Sequence, residues 1–138
     1  MGWRRPVRTI GFMNSPTRIY IVDDSPSMRS RLAEVIGRMR GASVVGESDS
    51  APQAVVDILA LRPHSVLLDL NLGRTSGLNV LKAIHPQAPE IAFVVLTNHA
   101  EPQYRRACRT AGAAYFLDKT TEFDKVPGVI AAIASRIH

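Results

Sequence analysis

The chain reads as α/β, a single-domain doubly wound parallel sheet of five strands flanked by five helices. Three observations predict this. Short apolar runs without alternation, such as Val66-Leu67-Leu68 and Ile91–Leu96, suit strands buried on both faces. Segments between them carry apolar residues at helical spacing, opened by capping residues and closed by glycine or proline. Strand and helix alternate along the chain, which implies parallel strands joined by crossover helices.

Arg18–Val22 is β-rich and runs into Asp23-Asp24-Ser25-Pro26, where Ser25 can cap a helix and Pro26 fits its first position. Met28, Leu32, Val35, Ile36 and Met39 form one apolar stripe, and Gly41 ends the segment. Ala42–Gly46 is a second strand. Ser50 can cap a second helix, with Ala54, Val55, Ile58 and Leu59 facing inward, until Pro63 forbids continuation. Val66–Leu68 is the third strand and Asn71–Gly77 a loop. A third helix, Leu78–Ile84, turns Leu78, Leu81 and Ile84 inward and stops before Pro86. Ile91–Leu96 is the fourth strand and ends in Thr97. Pro102–Ala111 is the fourth helix, with Tyr104, Ala107, Cys108 and Ala111 at core spacing and Gly112 as its stop. Ala114–Leu117 is the fifth strand. After a looser turn at Glu122–Asp124, the last helix begins near Pro127 and packs Val129, Ile130, Ile133 and Ile137.

At 138 residues the chain fits one domain with a proper core. No apolar run approaches the ~18 residues needed to cross a bilayer, so no membrane association is expected. No signal-peptide core accompanies Arg4, Arg5 and Arg8, which makes a cytoplasmic location the expectation. The single Cys108 excludes an intramolecular disulfide and a cysteine metal pair. The net charge is +5, but Arg4, Arg5, Arg8 and Arg18 supply four of those charges before the first acid, Asp23. Residues 1–16 are therefore expected to be a basic, disordered extension and residues 17–138 the folded domain, with no output module after His138.

Four polar sites share a property: each directly follows a predicted strand. They are Asp23-Asp24, Asp69, Thr97 and Lys119. Singly, each has a plain explanation as a helix-end charge, a cap or a solvated loop residue. In a parallel sheet, however, all these ends lie on one edge, where open α/β sheets place their ligands. Three crowded carboxylates repel one another and call for a cation. Magnesium fits, because it is hard and prefers oxygen ligands. A carboxylate can then attack phosphorus as a nucleophile, while the Thr97 hydroxyl and the Lys119 ammonium suit the phosphoryl oxygens that gain charge.

With the acidic pair Asp23-Asp24, Asp69 in D-L-N-L-G-R-T-S-G, Thr97 in V-L-T-N and Lys119 in G-A-A-Y-F-L-D-K, residues 17–138 closely resemble the receiver domain of two-component response regulators. The resemblance implies a CheY-like, flavodoxin-like fold with sheet order 2-1-3-4-5. It makes Asp69 the phosphoacceptor for a sensor histidine kinase or a histidine phosphotransfer protein. It assigns Mg2+ to Asp24, Asp69 and the backbone carbonyl of Asn71, with Asp23 acting through water. Thr97, Lys119 and Phe116 would form the phosphoryl-binding and switch set, although Phe116 also suits the core and Tyr115 is a rival. Asn71 and His99 hold the places that tune phosphoryl lifetime in this family. The output surface would be the fourth and fifth helices with the strand between them, binding a downstream protein target; a homodimer stays open. This chain departs from the family pattern in Gly73, where proline is common, and in Asn98, where a small residue is usual. His64, His85 and His138 lack motif context and are expected at the surface.

Three other functions compete. A haloacid-dehalogenase-type phosphatase also forms an aspartyl phosphate, but needs a second aspartate two residues after the nucleophile, where this chain has Asn71. A nucleotide or flavin module would want a glycine-rich loop after the first strand, and Asp-Asp-Ser-Pro has the wrong charge. A transcriptional regulator lacking its DNA-binding domain is the third. Arg105, Arg106 and Arg109 on the fourth helix read as much as a solvated face as a nucleic-acid patch, so nucleic acid is not expected as a partner of this chain alone.

Overall fold

A computed structural model describes residues 15–137. The expected basic extension over residues 1–16 lies, for residues 1–14, outside the described residues, as does His138. The elements in order are β1 (Thr17–Val22), α1 (Pro26–Gly37), β2 (Ala42–Ser48), α2 (Ala51–Leu61), β3 (Ser65–Leu68), a ribbon of β4 (Asn71–Leu72) and β5 (Thr75–Ser76), α3 (Gly77–Ile84), β6 (Ala92–Thr97), α4 (Pro102–Ala111), β7 (Tyr115–Asp118), a 3-10 turn (Phe123–Lys125) and α5 (Val126–Ile137).

The main sheet runs β2-β1-β3-β6-β7, every pair parallel. With the two-residue ribbon set aside, this is the expected 2-1-3-4-5 order. Alternate strand residues feed two cores. Tyr20, Val22, Val66, Leu68, Phe93 and Val95 meet α2, α3 and α4. Ile19, Ile21, Leu67, Val94 and Leu96 meet α1 and α5. The period of two thus splits one apolar run between opposite sides of the sheet.

Local chemistry sets the helix ends. Ser25 accepts the Met28 N–H at 3.2 Å with Pro26 behind it, as expected. Ser50 sits at the start of α2 but makes no side-chain cap. The hydroxyl of Thr75 accepts the Ala51 N–H instead, at 3.2 Å, which ties the ribbon to α2. Gly112 ends α4 at φ 108°, a left-handed position that favours glycine.

Several expectations need correction. Tyr104 and Ile137, read as core, are 40% and 42% exposed. Tyr104 lies in the first turn of α4 and its ring meets that of His99, 5.7 Å away; Ile137 is the last residue of α5. His64, read as a surface residue, is half-buried and its Nδ1 accepts the Arg18 N–H at 2.8 Å. His85 is half-buried too, packed so closely on Gly112 that a Cβ there would fall 2.3 Å from its ring. Asn71–Gly77, read as loop, is largely the β4–β5 ribbon. Among the described residues, no helix is long and apolar enough to cross a membrane.

Candidate functional site

Each residue named from a strand end is held by the sheet ladder continuing past its strand. The Asp23 N–H donates to the Ser48 carbonyl at 3.1 Å and the Asp69 N–H to the Val22 carbonyl at 2.9 Å. The Lys119 N–H donates to the Thr97 carbonyl at 2.8 Å. Backbone pairing therefore places all four on one edge before any side-chain contact is made.

Lys119 is the centre of the site. Its Nζ donates to Asp23 Oδ2 at 2.8 Å and to Asp69 Oδ2 at 2.9 Å. The other oxygen of each carboxylate takes a backbone donor: Asp23 Oδ1 accepts the Ser25 N–H at 2.9 Å, and Asp69 Oδ1 accepts the Asn71 N–H at 3.2 Å. All three side chains are largely sheltered, at 9%, 2% and 8% exposure. Burial by itself lowers the proton affinity of the Lys119 ammonium, but the hydrogen bonds and charges of Asp23 and Asp69 outweigh it, so its pKa stands above the usual lysine value.

Asp24 is exposed at the same edge. Asp23, Asp24 and Asp69 each offer a carboxylate oxygen, and these atoms lie within 4.8 Å of one another. An all-oxygen set of this span suits a hard divalent ion. Asn71, beside Asp69, accepts the Gly73 N–H on its own side chain at 3.2 Å, and Gly73 has φ 70°. Gly73 therefore serves a left-handed turn, a conformation that favours glycine.

Thr97 is fully buried, and its Oγ1 accepts the His99 N–H at 3.2 Å. His99 is exposed, with its ring against Tyr104. Asn98 is exposed and accepts the Thr120 hydroxyl at 3.2 Å. Phe116 and Tyr115 are separated by the pleat. Phe116 packs on the side of α2, α3 and α4, whereas Tyr115 packs on the side of α1 and α5.

Two contributors were missed by sequence reasoning. Arg29 donates from one guanidinium nitrogen to the Asp23 carbonyl at 2.7 Å and from Nε to Glu47 at 2.7 Å, steadying the turn that carries Asp23 and Asp24. Arg105, read as much as part of a solvated face as of a nucleic-acid patch, lies over the Phe116 ring with 4.7 Å between guanidinium carbon and ring centroid. Neither has a motif, because its partners belong to other elements.

The family model for the response regulator receiver domain matches residues 19–131. The chain is 34% identical over 107 residues to protein-glutamate methylesterase/protein-glutamine glutaminase 4 of Myxococcus xanthus, a match covering 77% of this chain and 30% of that protein. It is 28% identical over 102 residues to response regulator GacA of Pseudomonas protegens, covering 74% of this chain and 48% of that protein. The chain thus matches less than half the length of either relative. Among solved structures, the response regulator domain of Thermotoga maritima CheB superposes with a TM-score of 0.76 at 23% identity, covering 88% of this chain and 95% of that one.

Proposed function

Since the chain belongs to the response regulator receiver domain family, we propose that it stores a signal as an aspartyl phosphate on Asp69 and reads it out through a protein-interaction surface. The observation that carries this reading is the Lys119 ammonium bound at once to Asp69 and Asp23, with buried Thr97 at the end of the neighbouring strand.

The donor is the phosphohistidine of a sensor kinase or histidine phosphotransfer protein. A carboxylate oxygen of Asp69 attacks phosphorus; the P–O bond forms as the P–N bond breaks, and the imidazole leaves with the electron pair. Lys119 already binds Asp69 Oδ2 and is placed to follow the charge onto phosphoryl oxygens. Thr97 Oγ1 accepts its observed bond from the His99 N–H, which leaves its own proton to donate to a phosphoryl oxygen. Mg2+, held by Asp24, Asp69 and the Asn71 carbonyl, with Asp23 acting through water, would neutralise charge on the transferring group. Hydrolysis reverses the state: water attacks phosphorus, the bond to Asp69 breaks and inorganic phosphate leaves. The chain promotes both reactions of its own phosphoryl group and turns over no separate substrate. Asn71 and His99 set how long the phosphoryl group lasts; Asn71 cannot exchange a proton, which favours holding it.

Phe116, on the α4 side of β7, links the site to an output face formed by α4, β7 and α5, where a downstream protein binds. The folded unit is residues 17–138 and its location cytoplasmic. Incubation with magnesium and acetyl phosphate, followed by intact mass measurement, tests the reading. One alkali-labile phosphoryl group is expected, absent from Asp69→Asn and without magnesium. A wild-type chain that stays unmodified by both acetyl phosphate and a partner kinase would instead be a receiver that works by binding alone.

A further inference from the structure

Arg105 makes three contacts that converge on the neighbourhood of Thr97 and Lys119. Its Nε donates to the Ala100 carbonyl at 3.2 Å, in the segment that follows Thr97. Its guanidinium lies 4.7 Å from the ring centroid of Phe116, three residues before Lys119. Its Nη2 stands 3.8 Å from Glu122 Oε1, in the turn after Lys119. Glu122 is itself anchored, accepting the Asp118 N–H at 2.9 Å and the Lys125 ammonium at 2.9 Å. One planar cation on α4 thereby joins the two segments that carry the phosphoryl-binding pair.

We propose that Arg105 is a positioning residue of the switch, a clamp that holds Phe116 and the 97–101 segment in the arrangement seen here and must let go before the switch can respond. The inference rests on the receiver reading of the site and adds its restraint. Phenylalanine has no hydroxyl with which to anchor itself in either of two positions, so the electrostatics of its ring face supply the directional restraint. Arginine suits the task better than lysine, because its plane can stack on a ring while its N–H groups reach a carbonyl and a carboxylate. Arg105 differs in this from exposed Arg106 and Arg109 on the same helix, which the sequence presents as its equals. With 39% of its side chain exposed, it sits at the rim of the fold, where it can be released without opening a core.

The test is titration of the full chain with beryllium fluoride, a phosphoryl mimic, in excess magnesium, read from the amide resonances of Phe116 and Thr97. Arg105→Ala should half-saturate at a roughly two- to fivefold lower concentration, the factor expected for losing a partly exposed cation–π contact. Its unliganded resonances should move along the line toward their bound positions, a change that general destabilisation would not produce. Arg105→Lys should fall between wild type and Arg105→Ala. In a Phe116→Leu background the effect of Arg105→Ala should shrink to near nothing, because the ring it acts through is gone. Unchanged or weaker binding by Arg105→Ala would overturn the clamp, as would a gain that persists without the ring. If wild type itself does not bind beryllium fluoride, the proposed storage of a phosphoryl group on Asp69 falls and takes the clamp with it.

Discussion

Lys119 Nζ lies 2.9 Å from Asp69 Oδ2, a contact between residues 50 apart in sequence and mostly sheltered from water. The same ammonium holds Asp23, so one positive charge is shared by two inward carboxylates and leaves one negative charge uncompensated.

Replacing it removes the shared counter-charge. Lys119→Ala leaves Asp23 and Asp69 facing each other without a counter-charge. Without metal, the variant should lose about 3 kcal/mol of stability, the loss seen when one member of a buried pair is removed. Added magnesium should restore part of it, because an ion that binds only the folded chain stabilises that state. Urea denaturation with and without magnesium reads both effects; equal stability of variant and wild type in the absence of metal would refute the first.

Gly77 opens α3 directly against Asp69. A Cβ at this position would fall 2.0 Å from the carbonyl oxygen of Asp69 and 2.9 Å from its carbonyl carbon, both backbone atoms that cannot rotate away. Gly77→Ala should therefore cost at least about 2 kcal/mol and slow phosphorylation from acetyl phosphate by displacing Asp69. Gly128, with nothing within 4 Å, is the control. Its change to alanine in α5 should raise stability by up to about 1 kcal/mol.

The helix starts offer a sharper contrast. Ser25→Ala removes an observed cap and should cost about 1 kcal/mol. Ser50→Ala should stay within about 0.5 kcal/mol, since Ser50 caps nothing. Thr75→Val should cost about 1 kcal/mol instead, by orphaning the Ala51 N–H. Thermal unfolding of the three variants would rank them; a large loss at Ser50 with none at Thr75 would contradict the assignment.

Tyr20 sets an alkaline limit. Burial, reinforced by its hydrogen bond to Asp57 at 2.5 Å, raises its phenol well above the ordinary value of 10.0. The unfolded chain releases this proton near pH 10 while the folded chain keeps it. The stabilisation is thus complete below pH 10 and disappears as pH rises from there toward the folded value. Lys119, also raised, adds a parallel loss, so the informative quantity is the difference between wild type and Tyr20→Phe. That difference should be constant up to about pH 10 and diminish above it. A difference that stays flat through the alkaline range would remove Tyr20 from the account.

Much of the site was legible in the sequence because of how parallel sheets are built. Asp23, Asp69 and Thr97 each close an apolar run, Lys119 follows another after one intervening residue, and parallel pairing delivers all such ends to one edge. The misreadings have one cause. Helical spacing tells which way a side chain points around its axis but not what stands opposite. Tyr104 and Ile137 have core spacing yet lie exposed near helix ends, while His64 and His85 have no pattern yet are partly covered by neighbouring segments.

By itself, the sequence determined the alternation of strands and helices and the acidic edge, because these follow from local periodicity and from the residues after each strand; the order of the strands was implied only by the family resemblance. The tertiary structure decided that Lys119 bridges two carboxylates, that Thr75 replaces Ser50 as the donor's partner at α2, and that Arg105 covers Phe116. Such contacts depend on how helices and loops settle against the sheet. Ångström-scale placement of side chains from separate elements is a property of packing, and no single segment encodes it.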